Sequence, residues 1–208
     1  MQHIRRDYGM SELTESNAAR NPFQQFERWM CDALHSEIHE PTAMALSTVS
    51  TQGKPSSRMV LLKSYDETQG FVFFTNYLSR KGRELDSNPN ACLLFYWDKL
   101  ERQVRIEGCI TKVNDDVSDT YFQSRPYESR LSAIISPQSE VIPDRKFLEQ
   151  ELEKIKGKPD TPRPAQWGGY ALMPDYFEFW QGRPNRLHDR LAYEKKPDGS
   201  WTMKRLAP

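Results

Sequence analysis

Cysteine is scarce in this chain: Cys31, Cys92 and Cys109 are the only three in 208 residues, and no two have CxxC spacing. An odd, scattered set supports neither a disulfide framework nor a zinc ribbon, and the expected setting is a reducing cytoplasm. An excess of either charge is missing too, with Lys plus Arg and Asp plus Glu at 29 each. A general nucleic-acid binder needs a broad basic field, so that class is not expected and any cationic site must be local. Long apolar runs are also absent. No stretch approaches the roughly 20 residues of a membrane span, and the polar opening MQHIRRDYGMSELTESNAARNP holds no apolar signal core. The reading is a soluble chain with no membrane partner, whose 37% hydrophobic content suits one globular domain.

What is present is a change of periodicity along the chain. After Asn21-Pro22, the residues Phe23, Phe26, Met30 and Leu34 recur at spacings of three and four and predict an amphipathic helix over about 21–37. His35 and His39 are four apart as well, but in HSEIHE the Glu is misplaced for an HExxH zinc motif, and no metal site is expected. From residue 43, AMALSTVS, RMVLLKSY and FVFFTN, joined by TQGKPSS and DETQG, predict three strands in an antiparallel meander. SRKGRELDSNP predicts a short helix capped by Ser79, followed by strands at ACLLFYWD and LERQVRIEGCITKV. In the last of these Val104, Ile106 and Ile110 share one face, and Gln103, Arg105 and Glu107 the other. Helical patterns fill roughly 115–157, WGGYALMPDYFEFWQG returns to strand, and RLHDRLAYEKK and WTMKRLAP form a hairpin around PDGS. Strands interrupted by helices, without regular βαβ alternation, predict a mainly β (α+β) fold, an antiparallel barrel with helical excursions. A flexible arm over residues 1–20, able to act as a lid, and a single domain over 21–208 complete the expected organisation.

Three stretches concentrate chemistry. In NRLHDRLAY, read as strand, Arg186, His188 and Arg190 would project together roughly 6.6 Å apart, a row that needs an anionic counterpart or open water. A solvated edge strand and a ligand site both satisfy that need. Ser79, Arg80 and Lys81 open a helix, where free N–H groups favour an anion; they also suit an ordinary surface. Tyr121 and Arg125 at i and i+4, with Ser129 beyond Pro126, offer hydroxyls and a guanidinium suited to a phosphate monoester or to surface packing. Arg58 and Lys63, five apart, point to opposite faces of a straight strand. Aromatic residues crowd these segments, and FEFWQG runs directly into RPNRLHDR, a mixture that a planar heteroaromatic phosphate ester would use.

Taken in order, RMVLLK, FFTNYLSRKGREL, FYWDKLERQVRIEG, YFQSRPYES, PQSEVI, WGGY, EFWQGRPNRLHDR and the terminal RLAP closely resemble the pyridoxine (pyridoxamine) 5′-phosphate oxidase family, from about residue 5 to residue 208. That resemblance implies an FMN-binding split β-barrel acting as a homodimer, with FMN in a cleft between subunits. The implied reaction oxidises pyridoxine 5′-phosphate or pyridoxamine 5′-phosphate to pyridoxal 5′-phosphate. O2 is the electron acceptor, H2O2 is released, and the amine also gives ammonia.

By the same resemblance, FMN is contacted by Arg58, Met59, Val60, Leu61, Leu62, Lys63, Phe74, Thr75, Arg80, Lys81, Gln103, Gln138 and Ser139. Trp180 and Arg190 complete that site from the partner subunit. Phe74 stands where some members carry Tyr, so no hydroxyl contact to flavin is expected there. Lys63, Tyr121, Arg125 and Ser129 match residues holding the substrate phosphate, Arg5 and Tyr8 match an N-terminal lid, and Arg186 and His188 match the catalytic residues over the substrate ring. The expected chemistry is hydride transfer from substrate C4′ to flavin N5, because no side chain accepts a hydride. A split-barrel flavin reductase would keep Ser79, Arg80 and Lys81 without needing the substrate set. A non-catalytic carrier of pyridoxal 5′-phosphate would bind that ester without FMN.

Overall fold

The computed structural model describes residues 8–158 and 161–208. Helix α1 spans Pro22–Leu34; Asn21 caps it, its side chain accepting from Phe23 N at 2.8 Å, and Pro22 takes the first turn, where its missing N–H costs nothing. The strands are β1 Ala43–Val49, β2 Pro55–Leu61, β3 Ser64–Asp66, β4 Gly70–Asn76, β5 Asn90–Trp97, β6 Arg102–Lys112, β7 Trp167–Gln181, β8 Asp189–Lys195 and β9 Trp201–Arg205. The other helices are α2 Arg80–Ser87, α3 Asp115–Ser124, α4 Tyr127–Ile135 and α5 Arg145–Ile155. All nine strands belong to one sheet in the order β2-β1-β5-β6-β7-β4-β3, with β8 on β7 and β9 on β8.

The inward face of that curled sheet closes on α1. Phe23, Phe26, Trp29, Met30 and Ala33 are buried, and the Phe26 ring lies 4.9 Å from Phe71 and 5.1 Å from Phe95. Each large side chain buried here is worth about 1.5–3 kcal/mol, so the amphipathic stripe read from the sequence is what seats the helix. The helix stops at Leu34, three residues short of the expected end, with His35 as its cap. Leu34, expected on the apolar face, is consequently 57% exposed.

The predicted meander forms with a break in its middle strand. RMVLLKSY breaks at Leu62-Lys63: β2 pairs with β1 at one edge, whereas β3 and β4 pair with each other and β4 pairs with β7. FVFF has no polar face, and a strand buried on both sides takes a neighbour along each edge, here β3 and β7. The long β7 serves as a spine. Its first half pairs with β4, from Phe71↔Leu172 to Asn76↔Trp167, and its second half with β8, from Tyr176↔Glu194 to Gln181↔Asp189. Strand β6 covers its other edge throughout. In β6, Val104, Ile106 and Ile110 are buried, as the alternation predicts.

The second correction concerns NRLHDRLAY. Strand begins only at Asp189; Pro184–Arg186 form a 3₁₀ turn in which Asn185 and Arg186 have φ of 55° and 61°. Pro184 removes a ladder donor and Asn tolerates the left-handed region, so the extended row of Arg186, His188 and Arg190 does not exist. Residues 8–20 of the segment assigned to the arm lie on the body of the fold: Leu13 is 2% and Ala19 5% exposed, and Tyr193 OH donates to Ala19 O at 2.7 Å.

Candidate active site

Lys81 is the centre of the first half of the site. Strand β4 ends at Asn76, and Ser79 turns the chain into α2 by accepting from Gly82 N at 3.3 Å. The turn is so tight that a Cβ on Gly82 would lie 1.9 Å from Tyr77 O, so only glycine lets α2 start there. Lys81, 8% exposed, donates from Nζ to Gln138 Oε1 at 2.7 Å, Thr75 Oγ1 at 2.9 Å and Ser79 Oγ at 3.2 Å. Among the described residues no carboxylate pairs with it. Ser139 beside Gln138 adopts a φ of 75°. A buried cation with neutral partners at a helix start is built to receive an anion.

Burial, aided by the neighbouring Arg58 charge, pushes the Lys81 ammonium down to about 8 from 10.5. Between those values the unfolded chain binds more protons than the folded one, so stability rises with pH in that window. A bound phosphate restores the cation. A phosphate ester binding at pH 8.5 therefore takes up protons, and calorimetry in buffers of different ionisation enthalpy should give buffer-dependent heats that Lys81→Met removes. Heats identical in every buffer would contradict the assignment.

Arg58 and Arg80 converge on Glu84, a residue the sequence reading did not single out. Arg58 donates to Glu84 Oε2 at 3.2 Å and to Thr48 Oγ1 and Ser56 Oγ, each at 2.5 Å; Arg80 Nε donates to Glu84 Oε1 at 2.9 Å. Burial would raise the Glu84 carboxyl, but bonds from Thr48, Ser56, Arg80 and Arg58 hold it down to about 2. Along β2 the faces alternate: Val60 packs on the core, Met59 and Leu61 are exposed outward, and Leu62 beyond the strand is buried.

On the other face of β4, Phe74 stacks on Tyr121 at 3.9 Å and 19°. Trp167 continues the stack 5.5 Å from Phe74, and the Arg125 guanidinium lies 4.8 Å from the Trp167 centroid. Tyr121 and Arg125 do not share a helix face as expected. Arg125 caps α3 with extended ψ of 149°, because the following Pro126 disfavours helical backbone there. Its Nη1 is buried without a hydrogen-bond partner, and burial lowers the guanidinium's pKa. Lys63 Nζ lies 6.0 Å from the Tyr121 ring centroid, beside an open hollow of about 470 Å³ that Thr120 and Ser124 also line. Ser129 is half-buried on α4. Trp167 was missed as a site residue because nothing in WGGY marks its indole as a support for a guanidinium.

A second group lies at the far end of β7. Gln103, Trp180 and Arg190 are register partners across β6, β7 and β8. Arg190 has the anionic counterpart expected for the cationic row: Glu178, 3% exposed, accepts from Arg190 Nε at 2.8 Å and Arg105 Nη2 at 2.6 Å. His188 lies 4.7 Å from Trp180, and Tyr8 5.7 Å from His188, ring to ring. His188 Nδ1 accepts from Arg183 N at 3.1 Å, which leaves the proton of a neutral imidazole on Nε2. Arg186 is exposed in its left-handed turn, and Arg5 lies outside the described residues. Among the described residues the non-glycine residues with positive φ are Glu101, Ser139, Asn185 and Arg186. Ser139, Asn185 and Arg186 fall in these two groups, and Glu101 lies beside the second, its carbonyl accepting from Gly182 N at 2.7 Å; backbone strain at such places is commonly retained for function.

The groups are far apart. Phe74 pairs with Gly169, and Trp180 lies eleven residues further along β7, roughly 35 Å at strand rise. No small ligand touches both within one chain. Among the described residues, no three His, Cys, Asp or Glu side chains converge as for a metal, and no helix is long and apolar enough to cross a membrane.

The family model described as pyridoxamine 5′-phosphate oxidase matches residues 30–158, and that of the pyridoxine 5′-phosphate oxidase C-terminal dimerisation region matches 167–208. The chain is 55% identical over 207 residues to a pyridoxine/pyridoxamine 5′-phosphate oxidase of Herminiimonas arsenicoxydans, covering 99% of this chain and 98% of that protein. A protein of the same name from Gloeothece citriformis is 53% identical, with 99% and 97% covered. Among solved structures, PhzG from Burkholderia lata 383, in complex with tetrahydrophenazine-1-carboxylic acid, superposes with a TM-score of 0.89 at 30% identity over 96% of this chain and 100% of that one. A pyridoxamine 5′-phosphate oxidase-related, FMN binding protein from Nostoc punctiforme has a TM-score of 0.73 at 19% identity, with 91% and 100% covered, a likeness of fold. The predicted barrel with helical excursions is thus a split barrel of this type.

Proposed function

The chain belongs to the pyridoxamine 5′-phosphate oxidase family, a family of oxidoreductases, and on that premise we propose that it converts pyridoxine 5′-phosphate or pyridoxamine 5′-phosphate to pyridoxal 5′-phosphate. FMN is the proposed cofactor and O2 the acceptor, giving H2O2 and, from the amine, ammonia. The observation that carries the reading is a pair of cations without carboxylate partners, buried Lys81 in its cradle of Thr75, Ser79 and Gln138, and half-buried Arg125 on Trp167 with its Nη1 buried and unpartnered. Two phosphate esters, cofactor and substrate, account for two such vacancies of charge.

The residues fit FMN. Lys81, Thr75, Arg80, Gln138 and Ser139, with Arg58 held by Glu84, would receive its phosphate, and residues 58–62 would run beside it. Gln103, Trp180 and Arg190 lie too far along β7 to reach the same molecule within one chain. We therefore assign them to a homodimer in which each site takes one end of β7 from each copy, consistent with the dimerisation region matched at 167–208. Bound FMN would supply acceptance of a hydride, which no side chain can provide.

Lys63, Tyr121, Arg125 and Ser129 would hold the ester's phosphate. Arg186 and the Nε2 proton of His188, from the other copy, would orient the pyridine ring and its 3-hydroxyl, with Tyr8 closing above them. The ligand named for the Burkholderia protein is a carboxylic acid without a phosphate, and such a substrate would offer Arg125 a carboxylate in place of the more highly charged ester. With Cys31, Cys92 and Cys109 all free, a reducing cytoplasm is the proposed setting. The purified protein should be yellow and form pyridoxal 5′-phosphate from both esters only when O2 is present. An FMN-loaded protein that turned over neither ester would refute the reading.

A further inference from the structure

Glu101 sits between Leu100 and β6 with φ 54° and ψ 40°, a left-handed conformation that presses a Cβ against the following carbonyl oxygen. Glutamate is a poor choice for that backbone, and glycine or asparagine would take it more readily. The strain has a product. The Glu101 carboxylate accepts from Gly9 N at 2.9 Å and Met10 N at 3.2 Å, while its carbonyl accepts from Gly182 N at 2.7 Å. Gly182 in turn leaves room for two neighbours: a Cβ there would lie 2.8 Å from Tyr8 Cγ and 3.0 Å from Glu101 Cβ. Tyr8, next to the clamped pair, meets the Trp180 ring edge-on at 5.8 Å and His188 at 5.7 Å.

The rest of the segment is held separately. Leu13 N donates to Asp189 at 3.1 Å, Arg183 donates to Ser11 O at 3.1 Å and Arg205 to Leu13 O at 3.1 Å. Glu101 alone among these anchors grips the two residues that follow Tyr8.

We propose that Glu101 is a positioning residue: its left-handed backbone aims its carboxylate at the Gly9 and Met10 N–H groups and so fixes Tyr8 against Trp180 and His188 over the substrate ring. The inference rests on the functional reading above, which places the substrate at His188. Glu101 touches neither ester nor cofactor in this assignment and acts only through Tyr8. Tyr8 then excludes water from the ring and adds binding energy without taking part in bond breaking.

Glu101→Gly separates this role from a merely structural one, because it removes the strain together with the carboxylate. In the FMN-loaded variant Tm should stay level or rise by about 2–4 °C, as expected when backbone strain is relieved in a chain of this size. Hydrogen exchange of a peptide containing Gly9 and Met10 should accelerate about tenfold, the loss of about one hydrogen bond to a charged group. KM for pyridoxine 5′-phosphate should rise about five- to tenfold with kcat within about twofold, the pattern of lost uniform binding. Glu101→Gln, which keeps the strained backbone and one acceptor oxygen, should fall between the two in exchange and KM. Unchanged exchange at Gly9 and Met10 in Glu101→Gly would overturn the clamp, and faster exchange with unchanged KM would overturn its effect on substrate. A wild-type protein inactive on both esters would sink the functional reading instead, and the exchange comparison would still decide the clamp.

Discussion

Arg125→Ala should raise KM for pyridoxine 5′-phosphate by about 100-fold while kcat falls far less. The magnitude follows from what Arg125 lacks: its Nη1 is buried and unpartnered, and its planar group rests on Trp167 rather than on a carboxylate. The desolvation of that cation is partly met by the fold already, so an incoming phosphate gains charge-assisted bonds without first breaking an ion pair. Two such bonds at about 1.5 kcal/mol each give about 3 kcal/mol, or roughly 100-fold. Lysine is a poor replacement, because an ammonium can neither stack on the indole nor present two parallel donors. A KM shift below about threefold, with the fold intact, would remove Arg125 from the phosphate site.

Glu84→Ala should give the largest loss of stability. The carboxylate is buried and accepts from Thr48 at 2.5 Å, Ser56 at 2.7 Å, Arg58 and Arg80, so removing it strands Arg58 beside Lys81. Broken buried ion pairs cost about 3–5 kcal/mol; the low end applies because the Arg58 side chain keeps 21% of its surface in water. For a chain of this size about 3 kcal/mol corresponds to a Tm lower by about 6–12 °C. FMN affinity should fall with it, since Arg58 loses the group that aims it. The pH profile carries a second signature. Glu84 is held down to about 2 from 4.5, so its stabilisation is fully present above about 4.5 and is lost as pH falls toward 2. Glu84→Gln should flatten thermal stability across that window, and an unchanged acid profile would contradict the account.

Local features were legible in the sequence because their causes are local. The stripe of Phe23, Phe26 and Met30, the Ser79 cap and the alternation in β6 each follow from residues a few positions apart. The long-range pairing was not legible, since nothing within FVFFTN names β7, about a hundred residues on, as its partner. The strand read through NRLHDRLAY failed at Pro184 and Asn185, whose turn chemistry outweighs the alternation that follows. Lys81 could be placed at a helix start from sequence, but its burial among Thr75, Ser79 and Gln138 could not. Glu84, Trp167, Glu178 and Glu101 escaped notice for a common reason. Each acts on a side chain or backbone brought to it from elsewhere in the fold, and a single glutamate or tryptophan carries no local mark of that role.

The separation of Arg125 and His188 along β7 makes a mixed dimer the most direct measurement. At an ester concentration below the wild-type KM, each of Arg125→Ala and His188→Ala should impair turnover alone, and their chains should be unfolded together, refolded with FMN and assayed at that concentration. If every site takes Arg125 from one chain and His188 from the other, half the dimers are mixed and each of those holds one intact site, restoring about a quarter of wild-type turnover. Recovery no greater than the average of the two separate variants would place both residues in the same subunit's site and contradict the account.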